Sequence, residues 1–215
     1  MGYFRTWKKV MSSPTEFFTK MPKLGYKEPT IFALKTLTFV YIVGFCIMVL
    51  FNLVWYKSPL GQYSSLVKLF PALGGAGEYF ITLIAGIIFI PLGLLFAWGM
   101  LYVGAGIYHL FVLMFGGNEG YRETFTAYCY SLAPTLFSAI AIPILGSFIS
   151  MAAGVYSIVL FIFGLQARQK MSGGKAAAAV LIPIGIFFVL MILFVIGIVI
   201  LVGGLAISKL GGAPF

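Results

Sequence analysis

Residues able to do chemistry are few. The chain has five carboxylates, all Glu, and one histidine, His109. Glu78 and Glu123 each open an apolar run, where a carboxylate is favoured by the positive end of a helix dipole. Glu123 sits in Tyr121-Arg122-Glu123-Thr124-Phe125, so its carboxylate is placed to meet a neighbouring helix or a lipid headgroup. His109 has no further ligand residues near it for a metal. A proton relay through the membrane would need more ionisable groups than the spans contain. Cys46 and Cys129 lie in apolar stretches with neither metal-ligand spacing nor a disulfide framework, and read as packing residues. No nucleophile with its base, no carboxylate pair and no metal-ligand set can be assembled. The expectation is a protein without enzymatic activity, cofactor or metal.

A second polar group lies between residues 124 and 138: Thr124, Thr126, Tyr128, Tyr130, Ser131, Thr135 and Ser138, interrupted by Pro134. Pro134 frees a backbone carbonyl among them. Such a segment either satisfies its polar groups against neighbouring helices or lines a cavity, with Tyr130 and Pro134 at its centre.

The elements carrying these residues follow from composition. Of 215 residues, 61% are hydrophobic and 9% charged. Soluble domains carry about 25% charged residues, so lipid is the solvent this chain fits. The net charge of +9 does not point to nucleic acid, because the basic residues cluster beside apolar spans, where they set topology and attract anionic headgroups.

Residues 1–29 read as an amphipathic leader. Phe4, Trp7, Val10 and Met11 share one helical face, with Arg5, Lys8 and Lys9 facing elsewhere. Ser13-Pro14-Thr15-Glu16 has the form of a capping box, so a second short helix carries Phe17, Phe18 and Met21. The leader, with Trp7, Lys8, Lys9, Phe17 and Phe18, either lies on the headgroup layer or packs on the protein's own spans. No signal peptide is read here. Met1-Gly2 opens a loose myristoylation pattern, but the bulky Tyr3 argues against modification.

The expected fold is an all-α integral membrane protein of five transmembrane helices, at about 31–55, 79–114, 124–145, 148–167 and 176–207. Trp55 and Tyr56 anchor the first span, and Lys35 snorkels back to the basic side. The loop 57–77 has room for a small interfacial helix over 64–70. The stretch between Glu78 and Glu119 would be ~60 Å long as one helix, twice the ~30 Å hydrocarbon core, so it is one long helix or two. Pro143, Gly146 and Ser147 mark the turn between the third and fourth spans. With five spans, ten Lys or Arg fall on the N-terminal side and three on the other; with six spans the split is seven to six. The positive-inside rule favours five, with the N-terminus cytoplasmic and the C-terminus outside. Gly86, Gly93, Ala97 and Gly104 near one face of the long helix, and Gly203 and Gly204 in the last, mark close helix packing, within the chain or between copies.

Gly120-Tyr121-Arg122-Glu123-Thr124-Phe125, then Tyr128-Cys129-Tyr130-Ser131-Leu132-Ala133-Pro134, then Ile142-Pro143-Ile144-Leu145-Gly146 resemble the Yip1 domain family. So do Gly174-Lys175-Ala176-Ala177 and the Pro183 that follows. The leader Pro14-Thr15-Glu16-Phe17-Phe18 is similar to the start of the family's prokaryotic members. The likeness runs from about residue 12 to 205. It implies a five-span protein with a cytoplasmic N-terminus, here in a prokaryotic cytoplasmic membrane. The eukaryotic relatives act in traffic between endoplasmic reticulum and Golgi and associate with prenylated small GTPases and with one another. This chain departs from them: it has neither a long hydrophilic N-terminal region nor an Asp-Leu-Tyr-Gly-Pro-type segment, and no Asp at all.

The functional expectation is a non-enzymatic membrane protein that organises membrane or recruits partners. Its partners would be the bilayer, further copies of itself and an unidentified membrane protein, with no nucleic acid. The alternative is a small channel, transporter or lipid-translocating protein. Tyr121, Glu123, Tyr130, Pro134 and Lys175 are the candidate functional positions.

Overall fold

A computed structural model describes residues 2–55, 74–140, 142 and 144–211, with side chains at 2–51, 83–140, 142 and 144–201. The expected interfacial helix over 64–70, the side chains of Trp55, Tyr56, Glu78, Gly203 and Gly204, and Pro143 lie outside the described residues.

Two short helices, α1 (Tyr3–Ser12) and α2 (Pro14–Lys20), precede α3 (Lys27–Trp55) and the long α4 (Gly74–Met114). Then come α5 (Tyr121–Ser131), a 3-10 segment (Ala133–Ala139), α6 (Leu145–Arg168) and α7 (Gly173–Gly211). The leader is helical where its periodicity demands. Ser13, however, makes no side-chain cap. Glu16 instead pairs with Lys20 one turn on, at 2.7 Å. The stretch after Glu78 belongs to one continuous helix, α4, with Pro91 inside it.

The five-span expectation is corrected. Among the described residues, four helices are long and apolar enough to cross a membrane: Lys27–Phe51, Leu83–Met114, Leu145–Arg168 and Gly173–Leu201. The expected third span is not one of them. It is an 11-residue α-helix followed by a seven-residue 3-10 segment. The cause is local. Pro134 removes one N–H from the ladder and its ring crowds the preceding turn. The hydroxyls of Ser131 and Thr135 donate to the carbonyls of Tyr128 and Leu132, at 2.7 and 2.6 Å, which competes with regular helix bonding. The segment is also the wrong element to face lipid. Glu123 to Ala127 and Cys129 to Ser131 are buried, enclosed by α3, α4 and α6. The charge count made over five crossings therefore no longer fixes which side each end faces.

Burial concentrates at the leader end. Val112, Phe161 and Leu165 meet Ala176, Ala179 and Val180, seating the start of α7 on α4 and α6. Val10, Phe18, Phe32, Tyr130 and Leu160 seat the leader on α3, α5 and α6. Ala33, Leu101, Ala105, Phe125 and Cys129 join α3, α4 and α5. Small residues set the closest approaches. A Cβ on Gly164 would stand 2.8 Å from the Cβ of Ala127, and one on Gly104 would stand 2.8 Å from the Tyr128 hydroxyl. Gly86 fits against the ring of Phe45, whereas Gly93 faces open space. Farther from the leader the helices present apolar side chains outward, as from Ile186 to Leu201 on α7. That surface suits hydrocarbon, where no water must be ordered around it.

Candidate functional site

The described carboxylates outside the leader and the first turn of α3 converge at one end of the bundle, where α5 begins, α6 ends and the leader turns into α3. Gly120 precedes α5 with a φ of 91°, a left-handed conformation suited to glycine. This turn places Glu119 outward and Glu123 inward.

Glu123 is 2% exposed. Its Oε2 accepts from Arg168 Nε at 2.7 Å and from Nη2 of the same guanidinium. Arg168 also donates from Nη1 to the carbonyl of Met21 at 2.6 Å and from Nη2 to that of Pro22 at 3.3 Å. One guanidinium therefore ties the start of α5 and the end of α6 to the chain leaving the leader. The planar fork of arginine suits this role; a lysine ammonium would not reproduce it. Glu123 Oε1 is buried and has no hydrogen-bond partner among the described residues. Its nearest further cation is Arg122, with Nε at 3.9 Å.

Beside this pair stands a polar chain. Gln169 is 2% exposed. Its Nε2 donates to the Gly120 carbonyl at 2.8 Å and to Thr124 Oγ1 at 2.9 Å, and its Oε1 accepts from the Glu119 N–H at 3.0 Å. Thr124 Oγ1 also lies 2.9 Å from His109 Nδ1. With Gln169 donating to that hydroxyl, the Thr124 proton is free to point at the imidazole. Further out, Glu119 pairs with Lys170 at 2.6 Å and Lys23 at 3.1 Å. These two cations hold its carboxyl below the ordinary range, Lys170 contributing most. Lys170 adopts a φ of 52°, the left-handed conformation that follows many helix C-termini.

The predicted positions divide. Tyr121 and Glu123 belong to this end: the Tyr121 hydroxyl donates to the Tyr102 carbonyl at 2.8 Å. Tyr130 lies on another side of α5, with ring centroids 4.7 Å from Phe32 and 5.2 Å from Phe17. There it lines a cavity of about 430 Å³ between leader and α3. Pro134 is buried at the start of the 3-10 segment and does not line that cavity. Lys175 is exposed on the first turn of α7, with its Nζ 3.9 Å from where a Cβ on Gly116 would be. In the leader, the Trp7 indole donates to the Ala133 carbonyl at 2.8 Å, and the Tyr156 hydroxyl donates to the Met11 carbonyl at 2.7 Å. Phe18 is fully buried, while Lys8 and Lys9 are exposed.

Arg168, Gln169 and Glu119 were not among the sequence-derived candidates. Arg168 reads in the sequence as a topology charge. Its signal was an arginine closing an apolar run when another apolar run opens on Glu123. Among the described residues, no group of three or more His, Cys, Asp or Glu is placed to hold a metal ion. What the arrangement does is fasten the leader, α5 and α6 to one another.

No curated protein and no solved structure matches the chain. The Yip1 domain model matches residues 8–196, and the chain therefore belongs to the Yip1 domain family.

Proposed function

We propose that this protein is a non-enzymatic membrane scaffold whose fastened leader forms a surface for recruiting a membrane protein partner. The observation that carries the reading is the Arg168 clasp. It holds the leader through the carbonyls of Met21 and Pro22, while Trp7 and Tyr156 hold α1. Fixing the inner face leaves Phe4, Arg5, Lys8 and Lys9 exposed on the outer one. A basic surface already ordered costs a partner less to bind than a flexible one. The clustering of Lys23, Arg168 and Lys170 at this end supports placing it on the cytoplasmic side. The Pro14-Thr15-Glu16-Phe17-Phe18 segment of the leader supports a prokaryotic-type member.

The test is a crosslinked pull-down from native membranes, read by mass spectrometry. The expected result is a reproducible partner that is lost when Arg5, Lys8 and Lys9 are all changed to Ala, with insertion of the spans unchanged. A partner set indifferent to those changes refutes the reading. The alternative of a channel, transporter or lipid-translocating protein draws support from the cavity beside Tyr130; solute or lipid flux in liposomes would favour it.

A further inference from the structure

The cavity between leader and α3 has an unusual charge order. It is lined mainly by apolar groups, among them Phe17, Ile31 and Phe32, and by two ionisable side chains of α3, Glu28 and Lys35. Both are exposed, and neither makes a hydrogen bond or ion pair with another described residue. An unpaired lysine one turn into an apolar span is costly unless its head reaches polar surroundings.

Glu28, Ile31, Lys35, Phe39 and Ile42 recur at three- and four-residue steps, so they share one face of α3. Along that face the anion comes first. The cation follows ~10 Å further along the axis. Exposed apolar side chains come next: Phe39 is 40% and Ile42 48% exposed. A phospholipid with a primary amine has the same order from water inward: ammonium, phosphate, acyl chain. We propose that this cavity is a binding site for an aminophospholipid of the phosphatidylethanolamine type. Lys35 binds the phosphate, Glu28 accepts from the ammonium, and the acyl chains lie along Phe39 and Ile42. The volume of about 430 Å³ falls in the range of small-molecule sites. The aromatic wall is already ordered by the tilted ring contacts of Phe32 with Tyr130 and Tyr3, and by the Tyr3 hydroxyl on Thr36 at 2.9 Å.

The charge order also sets selectivity. A trimethylated choline head has no N–H to donate to Glu28. A glycerol head can donate hydroxyls to Glu28 but brings no cation to pair with it. Only the ethanolamine ammonium offers charge and N–H donor in one group.

The test uses the full chain reconstituted with equal parts of ethanolamine, choline and glycerol phospholipids, then released for native mass spectrometry. Ethanolamine lipid is expected to be retained over the other two by roughly tenfold, the size of one charge-assisted hydrogen bond. Glu28→Gln should bring ethanolamine and choline lipids to parity. Lys35→Gln should abolish retention of all three, and Ile31→Trp should block the cavity sterically. Equal retention of the three lipids by the unaltered chain, or a preference untouched by Glu28→Gln and Lys35→Gln, means annular lipid only and overturns the site. These substitutions spare Arg5, Lys8 and Lys9, so failure here is distinguishable from failure of the recruiting role.

Discussion

Replacing Arg168 by Met is the sharpest perturbation the structure offers. The side chains of Arg168 and Glu123 are 7% and 3% exposed. Removing the guanidinium leaves a buried carboxylate without its counter-ion, and two carbonyls of the leader without their donor. Breaking such a pair from one side costs about 3–5 kcal/mol. At ~2–4 °C per kcal/mol for a chain of this size, the melting midpoint should fall by roughly 6–20 °C. The protein supplies its own reporter. Cys129 is fully buried in α5, whereas Cys46 is exposed. In a Cys46→Ser background, labelling by a thiol-reactive dye during heating therefore follows opening of the bundle. Hydrogen exchange over residues 3–20 follows the leader separately. Two distinct losses are expected: a lower Cys129 midpoint and faster exchange in the leader. Changing Glu123 to Leu as well removes the stranded charge, and the midpoint should largely recover. Leader exchange should stay fast, because the carbonyls of Met21 and Pro22 still lack their guanidinium donor. If Arg168→Met changes neither readout, the clasp does not hold the leader and the reasoning fails.

Other outcomes follow from the same geometry. The Glu119 carboxyl is held below its ordinary range by Lys170 and Lys23. Its contribution is thus complete above the ordinary carboxylate range and lost as pH falls through its lowered value; exchange of residues 21–25 should rise on acidification, and Glu119→Gln should abolish that dependence. Gly164→Val forces a side chain into Ala127, whose Cβ would be 2.8 Å from the first added carbon; overpacking of this kind costs about 1–3 kcal/mol, read as a lower Cys129 midpoint. Lys170→Gly relieves a left-handed φ of 52° but deletes a bridge of 2.6 Å to Glu119. Strain relief of about 1 kcal/mol should outweigh this exposed pair, so the midpoint should hold or rise, and a clear fall would contradict this.

Much of the membrane architecture was legible because its cause is local. The runs at 31–55, 79–114, 148–167 and 176–207 are apolar over at least the ~30 Å of a hydrocarbon core, and each overlaps a helix long and apolar enough to cross a membrane among the described residues. The segment 124–145 misled for the same reason. It lacks charge, and charge is what a span lacks; but its hydroxyls and Pro134 favour a broken, buried element, which counting charges does not register. The role of Glu123 was half visible. Its place at a helix start is a local fact, while its partner lies 45 residues away at Arg168, a distance that only the fold closes. Lys35 shows the opposite case: snorkelling describes its reach, but only the cavity shows what lies beside it.

One feature of α7 bears on mechanics. Ala176, Ala179 and Val180 near its start are packed on α4 and α6, Pro183 follows, and from Ile186 to Leu201 the large side chains are exposed with respect to the other described residues. Among the described residues its packing lies toward the Gly173 end, so the segment has the form of a lever arm, with Pro183 where a proline leaves one ladder bond unmade. From Pro183 to Leu201 its arm is ~27 Å. A swing of about 10° at Pro183 moves the far end by ~5 Å, comparable to one helical pitch. A force from the bilayer on that arm would bear first on the Ala176–Val180 contacts, at the end of the bundle where the leader is clasped.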